Sequence, residues 1–185
     1  MKRYRECPIL INSLFMICIF EVSSSESTDF KRIIHINSEQ TFEDLHRIIQ
    51  NTSNFDSSQL ASFFLTDELW SKKIEISMLD SGNDTQNLLS MRNTKLNEYI
   101  TKTGQKLVYV FDFFNERLFY LELKEKLMKN DLKEPFVAYE MGVAPDQFLV
   151  NDYDSPDVDL LDSADSYKSF GDLEDYYEIF GEMDA

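Results

Sequence analysis

Residues 106–123 read Lys-Leu-Val-Tyr-Val-Phe-Asp-Phe-Phe-Asn-Glu-Arg-Leu-Phe-Tyr-Leu-Glu-Leu. Two runs rich in valine, leucine and aromatic residues flank Phe114-Asn115-Glu116, which predicts a hairpin of residues 106–113 against 117–123. Side chains alternate across a strand, so Leu107, Tyr109, Phe111 and Phe113 share one face. Two strands alone are not stable in water and need further strands or a helix over the apolar face.

The chain on either side supplies candidates. Residues 73–79 alternate Ile74, Ile76 and Met78 with Lys73, Glu75 and Ser77, a half-buried strand pattern, and the apolar run 62–65 precedes it. Residues 16–22 and 30–36 read as a strand pair across a polar turn, and 136–139 as a last strand. Thr41-Phe42-Glu43-Asp44 approximates a capping box and starts a helix whose apolar stripe is Phe42, Leu45, Ile48 and Ile49, with Glu43, Asp44, Arg47 and Gln50 facing out. Thr94 is placed to cap a second, short helix bearing Leu96, Tyr99 and Ile100 and ended by Gly104. The order predicts an α+β fold: a mostly antiparallel sheet with two helices on one face, opening strand-strand-helix in the manner of a β-grasp domain.

Charge divides the chain. Of 185 residues, 34 are acidic and 18 basic, a net charge of −16. Residues 151–185 hold twelve Asp and Glu against one base, Lys168, and so carry −11 of that total. The first 150 residues are only mildly acidic, and a domain boundary is expected near Asn151. The segment beyond is expected to be a disordered acidic tail, since its few apolar groups cannot offset its ordering entropy. Leu173, Tyr176, Tyr177 and Phe180 fall at helical spacing within it, which suits a short motif that folds on a basic, groove-bearing protein. The domain's own Lys72-Lys73 region is a second place for the tail to act.

At the other end, Lys2, Arg3 and Arg5 precede an apolar stretch from Ile9 to Phe20. This pattern is shared by a secretory signal and by an upstream leader, residues 1–15, ahead of a domain starting at Met16. Cleavage after about Ser23 would delete the first strand, so the leader and a cytoplasmic protein are the favoured reading, with an exported acidic protein as the alternative. A dozen apolar residues are too few to span a bilayer.

The helix Leu45-His46-Arg47-Ile48-Ile49-Gln50 and the strand Tyr109-Val110-Phe111-Asp112-Phe113, in this order after a strand pair, resemble the plasmid pRiA4b ORF-3-like family. Its pattern has a Leu-His-x-x-Ile-Gln helix and a Tyr-x-Tyr-Asp-Phe-Gly-Asp-x-Trp hairpin, and the likeness runs from about Met16 to Val150. The acidic tail resembles the Bacteroidales-type form. Phe114, Asn115, Arg117 and Phe119 depart from the motif, Lys31-Arg32 stands for its Trp-Arg, and Met141–Pro145 replaces its late glycine-rich run. The resemblance implies an uncharacterised activity and, for some members, a link to plasmids and mobile elements.

Three residues are singled out as candidate functional groups: Asp112, His46 and Tyr109. Asp112, among Phe111, Phe113 and Phe114, either is buried with a raised pKa, as a proton-transfer acid requires, or orders the turn by accepting backbone N–H bonds. His46, beside the helix stripe, reads as a partly buried hydrogen-bonded histidine, with a general base as the alternative. Tyr109 lies on the apolar face of the hairpin and in the family's motif. Two cysteines and two histidines exclude a disulfide framework and a Cys/His zinc site, and no metal or other cofactor is expected. Arg32, Arg47, Arg92 and Arg117 do not cluster in sequence, which argues against resolvase chemistry. Without a basic stripe or helix-turn-helix spacing, direct nucleic-acid binding is not expected either. The sequence thus points to no catalytic residue and to a non-enzymatic protein-interaction or adaptor domain, aromatic excess and anionic tail being its warrant. The alternative is a hydrolase or nucleic-acid-processing enzyme using Asp112 and His46.

Overall fold

The computed structural model describes residues 16–79, 89–128 and 132–149. Its elements are β1 (Met16–Ser24), β2 (Lys31–Asn37), α1 (Phe42–Ser53), β3 (Ser62–Thr66), β4 (Lys72–Ser77), β5 (Leu89–Ser90), α2 (Leu96–Tyr99), β6 (Lys106–Asp112), β7 (Arg117–Met128) and β8 (Phe136–Met141). All eight strands join one sheet in the order β5-β4-β3-β6-β7-β1-β2-β8. Every pairing is antiparallel except β4 with β5, which makes the sheet mixed.

The fold is therefore mostly β, and the expected α+β sheet with two helices on one face is corrected. Only α1 is a helix of any length. The segment after Thr94 closes a single turn, four residues long, with Lys95 rather than Thr94 at its N-cap and no side chain capping it. One turn fixes several dihedrals for one hydrogen bond, so it exists here only because Leu96 and Ile100 are buried in the core.

The hairpin of β6 and β7 sits near the centre of the sheet. Leu107, Tyr109 and Phe111 are buried on one face with Phe119, Leu121 and Leu123 of β7. A register shift between Val110 and Asp112 ends the alternation, which leaves Phe113 half exposed instead of on that face. Rings fill the core beneath α1: Phe63 lies 4.9 Å from Tyr109, Phe119 4.9 Å from both Phe30 and Phe111, and Phe55 5.0 Å from Phe111. Much of the aromatic excess is thus core material.

Thr41 caps α1 as expected. Its hydroxyl accepts from the Asp44 N–H at 3.3 Å, and an Asp44 carboxylate oxygen accepts from the Thr41 N–H at 3.0 Å. The buried stripe is wider than the apolar residues alone suggest. It comprises Phe42, Leu45, His46, Ile49, Gln50 and Ser53, so Gln50 faces inward rather than out.

β1 lies between β7 and β2, paired along its length with both, so loss of residues up to Ser23 would detach β2 and β8 from the rest of the sheet. Cys18 within β1 is fully buried, and burial pushes its thiol up to about 11 against a smaller opposing pull from Lys126, an unreactive core residue. No described helix is long and apolar enough to cross a membrane. Contacts divide the chain into residues 1–148 and 149–185. Residues 1–15 and the tail stripe Leu173, Tyr176, Tyr177 and Phe180 lie outside the described residues.

Candidate functional site

α1 carries two polar residues one turn apart, His46 and Gln50, on the face that packs against β6. Both meet the Tyr109 hydroxyl. Gln50 Nε2 donates to it at 2.9 Å, and it stands 2.8 Å from His46 Nδ1. All three residues are buried. The direction of the Tyr109–His46 bond follows the imidazole tautomer, and Gln50 Oε1 is buried without a partner among the described residues. Desolvation lowers the His46 pKa, Arg47 adds to the effect, and Glu43 opposes it. Desolvation also raises the Tyr109 pKa, although the bond from Gln50 counters it. Both groups are neutral at physiological pH.

His46 also lines a cavity of about 310 Å³ shared with Glu43 and Arg47 of α1, Met78, Ser90, Met91, Arg92 and Ser57. Glu43 pairs with Arg47 at 2.9 Å and with Arg92 at 3.5 Å, so two arginines separated in sequence converge on one carboxylate. Ser90 is buried, and its Oγ has no hydrogen-bond partner among the described residues. Residues 80–88 lie outside the described residues.

Asp112 is placed elsewhere. Its Oδ1 accepts from the N–H groups of Phe114 and Asn115 at 3.0 and 3.1 Å, and its Oδ2 accepts from Asn115 Nδ2 at 2.7 Å. Desolvation raises its pKa, but these bonds and the Arg117 guanidinium together outweigh it and hold the carboxyl below its ordinary value. Its bonds are those of a turn-ordering residue, and it does not line the cavity beside His46. His46 and Tyr109 are brought together; Asp112 does not join them.

Three buried polar residues do not show in the sequence. Gln50 was assigned to solvent by its polarity, though the i, i+4 spacing from His46 put both on one face. Ser90 had no signal at all. Arg117, which shows in the sequence only as a departure from the family motif, is buried. It bonds Glu26 through Nε and Nη2, at 2.7 Å for the shorter contact, and the carbonyls of Asp146 and Gln147 at 2.5 and 3.1 Å. Arg32 of β2, across β1 from β7, likewise donates to backbone carbonyls, those of Met141 and Gly142 at 2.6 and 3.2 Å. Gly142 closes this clamp with φ +67, and a Cβ there would lie 2.9 Å from the Phe30 nitrogen and closer still to the Asp29 carbonyl.

Among solved structures, the fold is similar to that of a protein of unknown function, MM3350 from Methanosarcina mazei Go1. The TM-score is 0.58 at 18% identity, covering 93% of this chain and 92% of that one. A search of curated proteins matched nothing. The family model described as plasmid pRiA4b ORF-3-like protein matches residues 21–146, a span that includes His46, Gln50 and Tyr109. Within that span these three residues meet at one hydroxyl. The chain belongs to the plasmid pRiA4b ORF-3-like family.

Proposed function

We propose that this chain is a non-enzymatic protein-interaction domain. The observation that supports this reading is β8, which among the described residues pairs with β2 alone and so lies at the edge of the sheet. Phe136, Tyr139 and Met141 are between 42% and 49% exposed along it, and Val143 just beyond is 80% exposed. An edge strand leaves a row of backbone N–H and C=O groups free, and protein partners add a strand to such edges. The occupant this favours is an extended segment of another protein, with apolar side chains for Phe136 and Tyr139. The acidic tail and its stripe at Leu173, Tyr176, Tyr177 and Phe180 would supply a second contact, to a basic surface. Against the enzyme alternative stand the separate surroundings of Asp112 and His46.

Pull-downs with three proteins test this: the full chain, the double variant Phe136→Lys/Tyr139→Lys, and a chain ending at Val150. A partner lost from either variant, with its thermal melt unchanged, supports the reading. Recovery of the same partners by all three would overturn it. A cytoplasmic location follows the same proposal, supported by the central place of β1. Mass spectrometry of the native N-terminus tests it, because an end after about Ser23 would remove that strand.

A further inference from the structure

Residues 132–148 add little to the core. Gln147 is the one buried residue among them, and Val137 and Ala144 reach the core cluster only from its margin. β8 pairs with β2 across a register shift between Ile33 and Ile34. β2 does not depend on that pairing, because β1 pairs with it from Lys31 to Asn37 without a break. Beyond Tyr139 the segment is held by side chains from distant parts of the chain. Arg32 and Arg117 donate to its carbonyls, and Ser27 Oγ donates to the Val143 carbonyl at 3.0 Å. The Gln147 side chain bonds the Asp56 backbone. A segment with so few buried apolar contacts opens at a lower free energy than the core it lies on.

We propose that residues 132–148 are a detachable strap over the edge of β2. The strap leaves as one unit while the sheet from β1 to β7 stays folded. Closed, it masks the edge of β2. Open, it frees that edge and uncovers the Arg32 guanidinium beside it, whose partners among the described residues are Thr52 and three backbone carbonyls. Gly142 fixes how the strap seats: φ is +67, and a Cβ there would meet the backbone of Asp29 and Phe30.

The test is native-state hydrogen exchange of the full chain over a series of urea concentrations below the unfolding transition. Two readouts lie far apart on the strap: the β8 amides that pair with β2, and the Asp56 amide, whose acceptor is the Gln147 side chain. Both are expected to report one shared opening, at least about tenfold faster than exchange in β6 and rising with urea on a shallower slope. His35 and Phe136 are cross-strand neighbours outside the core, so His35→Cys/Phe136→Cys allows a disulfide from β2 to β8. Ile33→Cys/Tyr139→Cys is a second such pair. Oxidation of either variant is expected to slow β8 exchange to that of β6, and reduction to restore it. Equal exchange in β8 and β6, β8 exchange that does not respond to urea, separate openings for β8 and Asp56, or oxidised cross-links that leave β8 exchange unchanged would each overturn the proposal. The measurement is made on the free chain and does not decide whether a partner strand adds to β8, so the two proposals fail separately.

Discussion

Tyr109 accepts from Gln50 Nε2 and bonds His46 Nδ1, so one hydroxyl partners two buried side chains, with Gln50 Oε1 left unpartnered among the described residues. Tyr109→Phe keeps the ring and removes that oxygen. The cost is expected to be about 1–3 kcal/mol, read from urea denaturation, because Gln50 and His46 are left unpaired in a dry core. A second prediction concerns pH. The His46 pKa in the folded chain lies below the 6.5 of the unfolded chain, chiefly through desolvation. As pH falls below 6.5 the unfolded chain takes up the proton first, so the contribution of this group is full above 6.5 and is lost as pH falls through the folded value. Glu21 and Asp112 also have lowered values, from 4.5 and 3.8, and act in a more acidic range. The urea midpoint is therefore expected to drop between neutral pH and about pH 5, and His46→Gln to flatten that drop. At this scale the sequence showed His46 and Tyr109 as candidates but not their contact. The contact depends on where α1 lies over β6, which no local pattern states.

Among the elements, β6 and β7 were legible because alternation and length agree over both runs, and α1 because its capping box and stripe agree. β5 was not. Two residues, Leu89 and Ser90, form it by pairing with β4, and no periodicity can show in a span so short. The segment from Met141 to Gln147 was equally hidden, since side chains far away in sequence hold it. Arg32 and Arg117 bond its carbonyls, and the Gln147 side-chain amide bonds both the N–H and the carbonyl of Asp56, at 2.6 and 3.1 Å. Arg117→Met is expected to speed amide hydrogen exchange across 142–149 while leaving exchange in β6 unchanged. The cost in stability is expected to be about 1–2 kcal/mol, below that of a fully buried ion pair because Glu26 keeps access to solvent.

For the whole molecule, every buried hydrophobic residue among those described lies between Ile17 and Leu123. A chain ending at Val150 is expected to unfold at the same urea midpoint and with the same slope as the full chain, since the slope follows the surface exposed on unfolding. A clear loss in either would place part of the core beyond Val150. The net charge of −16 is uneven along the chain at this scale too, with −11 on residues 151–185 and −5 on the first 150.

The sequence by itself determined the strands of the central hairpin, the position and cap of α1, the uneven charge and the family, because each is written in neighbouring residues or in their spacing. Only the tertiary structure decided that the sheet has eight strands with one effective helix. It alone also joined Gln50, Tyr109 and His46, brought Arg47 and Arg92 to one carboxylate, and turned Arg32 and Arg117 inward. Strand order and buried polar pairing are set by which distant surfaces exclude water from each other, and that is a property of the assembled chain.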